Sequence, residues 1–193
     1  MPQNNLGLEH EYRGQIEEAF VCYRDALRWA ANPMEEATVR NNLGNLYLSS
    51  GDPQAAAEQF VFCLELNHLE RGLYYNNLGL AFSDLGDPTQ AERMYLMSLD
   101  AEPLRIETYL NYGVLCFRQE RWDLARKLLD RAAGINPDHR QAVFALGKFY
   151  ISRGEFAQAA QVFRRFVSEH PWDREGYLYL AISSLRTAST QSV

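Results

Sequence analysis

A short phrase returns five times along this 193-residue chain. Leu6-Gly7, Leu43-Gly44, Leu78-Gly79, Tyr112-Gly113 and Leu146-Gly147 each stand twelve residues ahead of an alanine, at Ala19, Ala56, Ala91, Ala125 and Ala159. Successive glycines are 37, 35, 34 and 34 residues apart. A period in that range constrains the fold more than composition can, because one short helix pair cannot bury its own apolar face and must lean on the next pair. Large residues keep the same phase. Tyr47, Phe82 and Tyr150 follow the glycine by three, with His10 and Cys116 as departures. Tyr23, Phe60, Tyr95, Leu129 and Phe163 follow the alanine by four, and Pro103, Pro137 and Pro171 follow it by twelve, with His68 in that place in the second repeat.

Over nearly its whole length the chain resembles the tetratricopeptide repeat family, whose pattern runs W-x2-L-G-x2-Y, then A-x3-F, then P. The resemblance implies an all-α fold, a right-handed superhelical solenoid of antiparallel helix pairs. It implies one solenoid over residues 1–187, with repeats of about 1–36, 37–71, 72–105, 106–139 and 140–173 and a terminal helix at 174–187. Residues 188–193 read as a disordered polar tail. Local chemistry agrees with the frame. Gly51-Asp52-Pro53 and Gly86-Asp87-Pro88 set a glycine past one helix, an aspartate at the next N-cap and a proline in its first turn. Arg13-Gly14 and Arg153-Gly154 repeat the glycine stop, whereas Glu120 replaces that glycine in the fourth repeat, so its turn must avoid or tolerate a left-handed residue. No strand-like alternation competes with the helical period.

A hydrophobic content of 47% supplies a continuous core. No apolar run approaches the roughly 20 residues that span a bilayer, and no basic start leads into an apolar stretch. Direct membrane insertion is therefore not expected. The cytoplasm is the expected compartment, or the periplasm if a signal or lipidation segment has been removed. Arginine far outnumbers lysine, as suits a bacterial source.

Net charge is −6 and unevenly spread, with 16 acids against 6 bases over residues 1–104 and 9 against 13 over residues 105–193. Solvated helix faces account for this plainly; the alternative is a gradient that orients an elongated partner. The acidic balance and the lack of a dense basic stripe argue against nucleic acid.

Chemistry is hard to assemble from the remaining residues. Cys22, Cys63 and Cys116 are far apart, lack metal-ligand spacing and read as buried free thiols. His10, His68, His139 and His170 recur at no ligand spacing. Ser49-Ser50 and Ser183-Ser184 fall near helix ends, where hydroxyls bond to backbone, and Glu17-Glu18 and Glu35-Glu36 suit first helical turns. The glycines are helix stops and packing points, not a phosphate-cradling loop. Neither a catalytic constellation, a metal site nor a cofactor is expected, and the chain reads as non-enzymatic.

A surface remains. The resemblance puts the first helix of each pair on the inner wall, and an asparagine precedes the Leu/Tyr-Gly phrase in four repeats: Asn5, Asn42, Asn77 and Asn111, with Ala145 in the fifth. Amides carry donors and an acceptor, so such a ladder could hold a passing backbone without reading its side chains. Related repeat proteins use asparagines here to hold extended peptides. The plainer alternative is that each amide bonds a neighbouring helix. Asn4, Asn41 and Asn76 precede three of these residues, and Asn45 lies one turn on, where some chaperone-binding relatives place a member of a carboxylate clamp. Leu73, Glu107 and Asn111 stand where that clamp needs lysine and arginine, which disfavours it.

Further along, the inner face is expected to turn apolar through Leu80, Leu110, Val114, Phe117, Phe144 and Ile151, with Arg118 and Lys148 beside them. Part of this set must pack against the next repeat; the rest would mark a partner site. Four amides contribute about 4 kcal/mol. Micromolar binding needs about 8 kcal/mol beyond association costs, so the apolar wall must supply most of the affinity.

The expected function is a protein–protein scaffold that holds a peptide segment of a partner in this groove. The alternative is a structural role, self-assembly or assembly of a larger complex. It is motivated by Tyr177, Leu178, Leu180, Ala181, Ile182 and Leu185, which leave the terminal helix little polar surface. Phrases such as Asn111-Tyr112-Gly113 also resemble those of small bacterial repeat proteins, including lipoproteins that help assemble type IV pilus secretins.

Overall fold

The computed structural model describes residues 2–190. Among them lie eleven α-helices and no strand: α1 Pro2–Tyr12, α2 Ile16–Arg28, α3 Pro33–Ser49, α4 Pro53–Leu66, α5 Arg71–Asp84, α6 Pro88–Ala101, α7 Ile106–Arg118, α8 Trp122–Ile135, α9 Arg140–Ser152, α10 Phe156–Glu169 and α11 Arg174–Thr190. They form two compact units, Met1–Arg105 and Ile106–Val193.

The punctuation works as its chemistry dictates. Asp52 and Asp87 accept from the backbone N–H of Ala55 and Gln90 at 3.0 Å, each followed by its proline. Gly51 and Gly86 take φ of 81° and 76°, the left-handed conformation that closes the preceding helix. Glu120 adopts φ 59° in the matching turn, so the fourth repeat tolerates the strained residue. A β-carbon makes that conformation costly by about 1–2 kcal/mol.

Caps set the helix ends. Helix α3 begins at Pro33, because the Asn32 side chain accepts from Glu35 N–H at 3.0 Å and Pro33 fits the first turn. At the other end α11 runs through Thr190, so residues 188–190 of the expected tail are helical; residues 191–193 lie outside the described residues. Its hydroxyls are satisfied within the helix: Ser183, Thr187 and Ser189 donate to the carbonyls of Tyr179, Ser183 and Leu185, one turn back.

The repeated glycine is a packing socket. In each pair the large residue sixteen positions later lies against it. A β-carbon on Gly7 would sit 2.5 Å from the Tyr23 ring, and one on Gly44 2.6 Å from the Phe60 ring. On Gly79 and Gly147 it would overlap the rings of Tyr95 and Phe163, and on Gly113 it would stand 2.9 Å from Leu129. Tyr23, Phe60, Tyr95 and Phe163 are buried to 1% exposure or less, so the socket and its ring form the centre of each pair. In the second unit Phe144 joins this core, edge-to-face with Phe163, Phe166 and Tyr179 at 5.4–5.8 Å between ring centres.

Candidate functional site

In the first unit, Asn42 and Asn77 of the first-helix row each bond an asparagine of the preceding repeat. Asn42 Nδ2 donates to Asn4 Oδ1 at 2.9 Å, tying α3 to α1. Asn77 Nδ2 donates to Asn41 Oδ1 at 2.9 Å, tying α5 to α3, and Asn77 Oδ1 accepts from Asn76 Nδ2 at 3.0 Å. The Asn41-Asn42 doublet thus offers its first amide to the following repeat and its second to the preceding one. Asn77 is only 5% exposed. For Asn42 and Asn77 the neighbouring-helix alternative is the one observed, and their amides are already engaged without a ligand. Asn5 is exposed, and Asn45 and Leu80 are half-buried.

The second unit has a different inner row. Ala145 holds the asparagine place on α9, and a cleft of about 370 Å³ opens there, lined by Val114 and Phe117 of α7, Leu129 of α8, and Ala145, Lys148, Phe149 and Ser152 of α9. Val114 is 42% exposed, Phe117 half-buried and Lys148 exposed. Phe117 is held edge-on to Trp122 at 5.0 Å and to Phe149 at 6.0 Å, so the floor of the cleft is a fixed aromatic surface. Leu110 and Asn111 on α7 are half-buried, and Arg118 at its end is exposed.

Phe144 does not belong to this open face. It is 4% exposed, enclosed by Phe163, Phe166 and Tyr179, and covered by the Arg140 guanidinium 4.2 Å from its ring centre. Ile151, half-buried, packs against the same cluster. The expected apolar set therefore divides: Val114 and Phe117 meet the cleft with Lys148, while Phe144 and Ile151 hold the core.

Sequence reasoning missed two features. The departure Ala145 was legible, but not that a cleft opens beside it. Nor was the clasp of α11 expected. Arg140 Nε donates to Asp173 at 2.8 Å and its Nη2 bonds Glu175, while Lys148 Nζ stands 3.8 Å from the same Glu175. Asp173 also caps α11 by accepting from Gly176 N–H at 2.8 Å. The Arg140 hydrogen bond, with the Gly176 N–H, holds the Asp173 carboxyl below its usual range.

The remaining chemistry-bearing groups lie elsewhere. Cys22, Cys63 and Cys116 are free thiols in the interior. Burial pushes Cys63 up to about 12, too high to form a thiolate near neutrality. Among the described residues no cluster of three His, Cys, Asp or Glu could hold a metal ion, and no helix is long and apolar enough to cross a membrane.

Paired helices with a glycine socket in every pair define a helical-repeat protein. Tetratricopeptide repeat profiles match residues 3–33, 37–67, 76–139 and 117–175, and the chain belongs to the tetratricopeptide repeat family. No curated protein matches the sequence. Among solved structures, a thermophilic TPR protein of Thermus thermophilus, TTC0263, is similar at 20% identity and a TM-score of 0.75, covering 95% of this chain and 98% of its own. Pseudomonas aeruginosa pilF is similar at 18% identity and a TM-score of 0.71, covering 99% of this chain and 86% of its own. YrrB, a TPR protein with an unusual peptide-binding site, is similar at 20% identity and a TM-score of 0.56, covering 93% and 90%. At these identities the likeness shows the all-α helical-repeat solenoid fold. The family's general role is non-enzymatic scaffolding of protein–protein interactions.

Proposed function

We propose that this chain is a non-catalytic scaffold whose second unit binds a peptide segment of another protein, anchored by one apolar side chain in the cleft between α7 and α9. The observation that carries the reading is the 370 Å³ opening beside Ala145, walled by Val114, Phe117 and Phe149 and bordered by the exposed Lys148. Burying one large apolar side chain there contributes about 1.5–3 kcal/mol. Micromolar affinity needs about 8 kcal/mol, so packing on Leu110 and further contacts along α7 and α9 must add to the anchor. Lys148, with Arg118 on α7, favours a segment that carries a carboxylate near that side chain. In the first unit, Asn5 and Asn45 are better placed to meet a passing backbone than Asn42 and Asn77, whose amides already bond their neighbours. That a YrrB structure is described by its peptide-binding site is consistent with this use of the fold.

Peptides selected from a random library on the native protein test the reading when re-titrated against Val114→Asp. The position is exposed, so folding is spared. Loss of about a hundredfold in affinity is expected; equal binding to both proteins would take the cleft out of the mechanism.

One observation favours a second role, self-association or assembly work of the kind implied by the pilus-assembly resemblance. Tyr177, Leu178, Ile182 and Leu185 of α11 are 46%, 57%, 38% and 71% exposed. Light scattering on the native chain tests that reading, which predicts a mass above that of a monomer.

A further inference from the structure

The exposed face of α11 has a pattern of its own. Leu178, Ala181, Leu185 and Ala188 recur at intervals of three, four and three, the a and d spacing of a heptad, and all four are exposed. Tyr177 and Ile182 flank the seam. Between Glu175 and Arg186 the helix carries no charged residue, so no buried charge opposes covering it. The opposite face is already occupied: Tyr179 stacks on Phe163 at 5.2 Å and 15°, Leu180 packs on the same core, and a β-carbon on Gly176 would stand 2.9 Å from Val167.

Repeat register explains why the seam is apolar. Thirty-four residues earlier, Val143, Phe144 and Gly147 hold on α9 the places of Tyr177, Leu178 and Ala181. There they are buried, and α10 seats Phe163 in the Gly147 socket. Helix α11 is thus the first helix of a pair, its second-helix side exposed along the described residues. It also carries Ala181-x3-Leu185, the same small-x3-large phrase that Ala125 and Leu129 form on α8, where Leu129 lies against Gly113. One helix therefore bears both socket and knob.

We propose that this face is covered by a second copy of the chain: α11 pairs antiparallel with α11 of that copy about a two-fold axis, Leu185 seating on Ala181 and Leu178 on Ala188. The alternation selects this arrangement. Antiparallel pairing about residue 183 sets every leucine opposite an alanine, whereas parallel pairing would stack leucine on leucine and leave the alanines facing a gap. Antiparallel helices also oppose their dipoles favourably, and an isologous contact closes without forming fibres. The inference rests on the self-association reading above and specifies its geometry. Three helical turns make a small interface, so the dimer should dissociate in the micromolar range.

Three measurements on the full chain separate the reading from the geometry. Light scattering across a wide concentration range should show a monomer–dimer equilibrium; a strictly monomeric mass would overturn both self-association and the pairing. Leu185→Asp should weaken the dimer by about a hundredfold with unchanged thermal unfolding of the monomer; full retention of the dimer would exclude α11. Ala181→Leu should weaken it about tenfold although it adds apolar surface, because the close approach is lost. A tighter dimer would identify a non-specific sticky face and overturn the pairing alone. Finally, mixed oxidation of Ala181→Cys with Leu185→Cys protein should give more crosslinked heterodimer than either protein gives alone, the native thiols being interior; excess of the like-with-like crosslinks would mean a parallel pair.

Discussion

The two units solve the same packing problem along the first-helix row in opposite ways. In the first, asparagine doublets stitch α1 to α3 and α3 to α5, and polar groups that could meet a ligand are spent on the scaffold. In the second, α7 keeps Asn111 but Ala145 takes the asparagine place on α9, and a cleft opens there over an aromatic floor. Between units of one repeat design, the same register position thus carries an amide bonded to the preceding repeat on α3 and α5 and lines a cleft on α9. An amide is long enough to reach the next helix and polar enough to need it; a methyl group does neither.

The largest expected effect breaks the socket the units share. Gly147→Ala should destabilise the second unit by about 3 kcal/mol, since a rigid ring must be displaced, while Gly113→Ala should cost nearer 1 kcal/mol because Leu129 can change rotamer. Denaturant unfolding monitored in each unit would check the difference, and equal losses would show that the ring is not the obstacle.

Next comes the seam itself. Asn77→Ala removes a buried donor to Asn41 and the acceptor of Asn76, and should cost about 2 kcal/mol whether or not a peptide is present. Ala145→Asn makes the converse change, placing an amide in the cleft. It should cost under about 1 kcal/mol in stability yet abolish binding of cleft-selected peptides, read by thermal unfolding beside titration. If Asn77→Ala weakened peptide binding more than stability, the contrast between the units would fail.

A smaller effect depends on pH. Because the Asp173 carboxyl is depressed in the folded state, its contribution to holding α11 is complete above the unfolded value of about 4 and is lost as pH falls through the lower folded value. Asp173→Asn should therefore lower the melting temperature at neutral pH and have progressively less effect in acid. A constant difference down to strong acid would remove the ion pair from the account.

The smallest expected change is a gain. Glu120→Gly relieves a left-handed residue that the other turns assign to glycine, offset by the extra freedom of the unfolded chain, for a net stabilisation of about 0.5 kcal/mol by denaturant titration.

Much of this was legible in the chain. The glycine phrase, the alanine twelve residues on and the large residue four beyond it predicted every helix pair, because steric sockets and caps are local chemistry repeated in phase. Asn32-Pro33 marked its helix start equally plainly once read as a cap. The site was legible only in part. Val114, Phe117 and Lys148 were expected on an open face and lie together, but Phe144 shares their character and spacing and sits in the core. Periodicity marks a face as apolar without saying what covers it.

Amino-acid order by itself determined the repeat, the turns and the all-α family, since each follows from spacing and from φ-restricted residues read one turn at a time. Tertiary structure alone decided which amides bond each other, that a cleft opens beside Ala145, and that Arg140 clasps Asp173 and Glu175 from 33 and 35 residues away. Those outcomes depend on the distances between helices. Side-chain volumes across the whole contact surface fix those distances, and no local pattern encodes them.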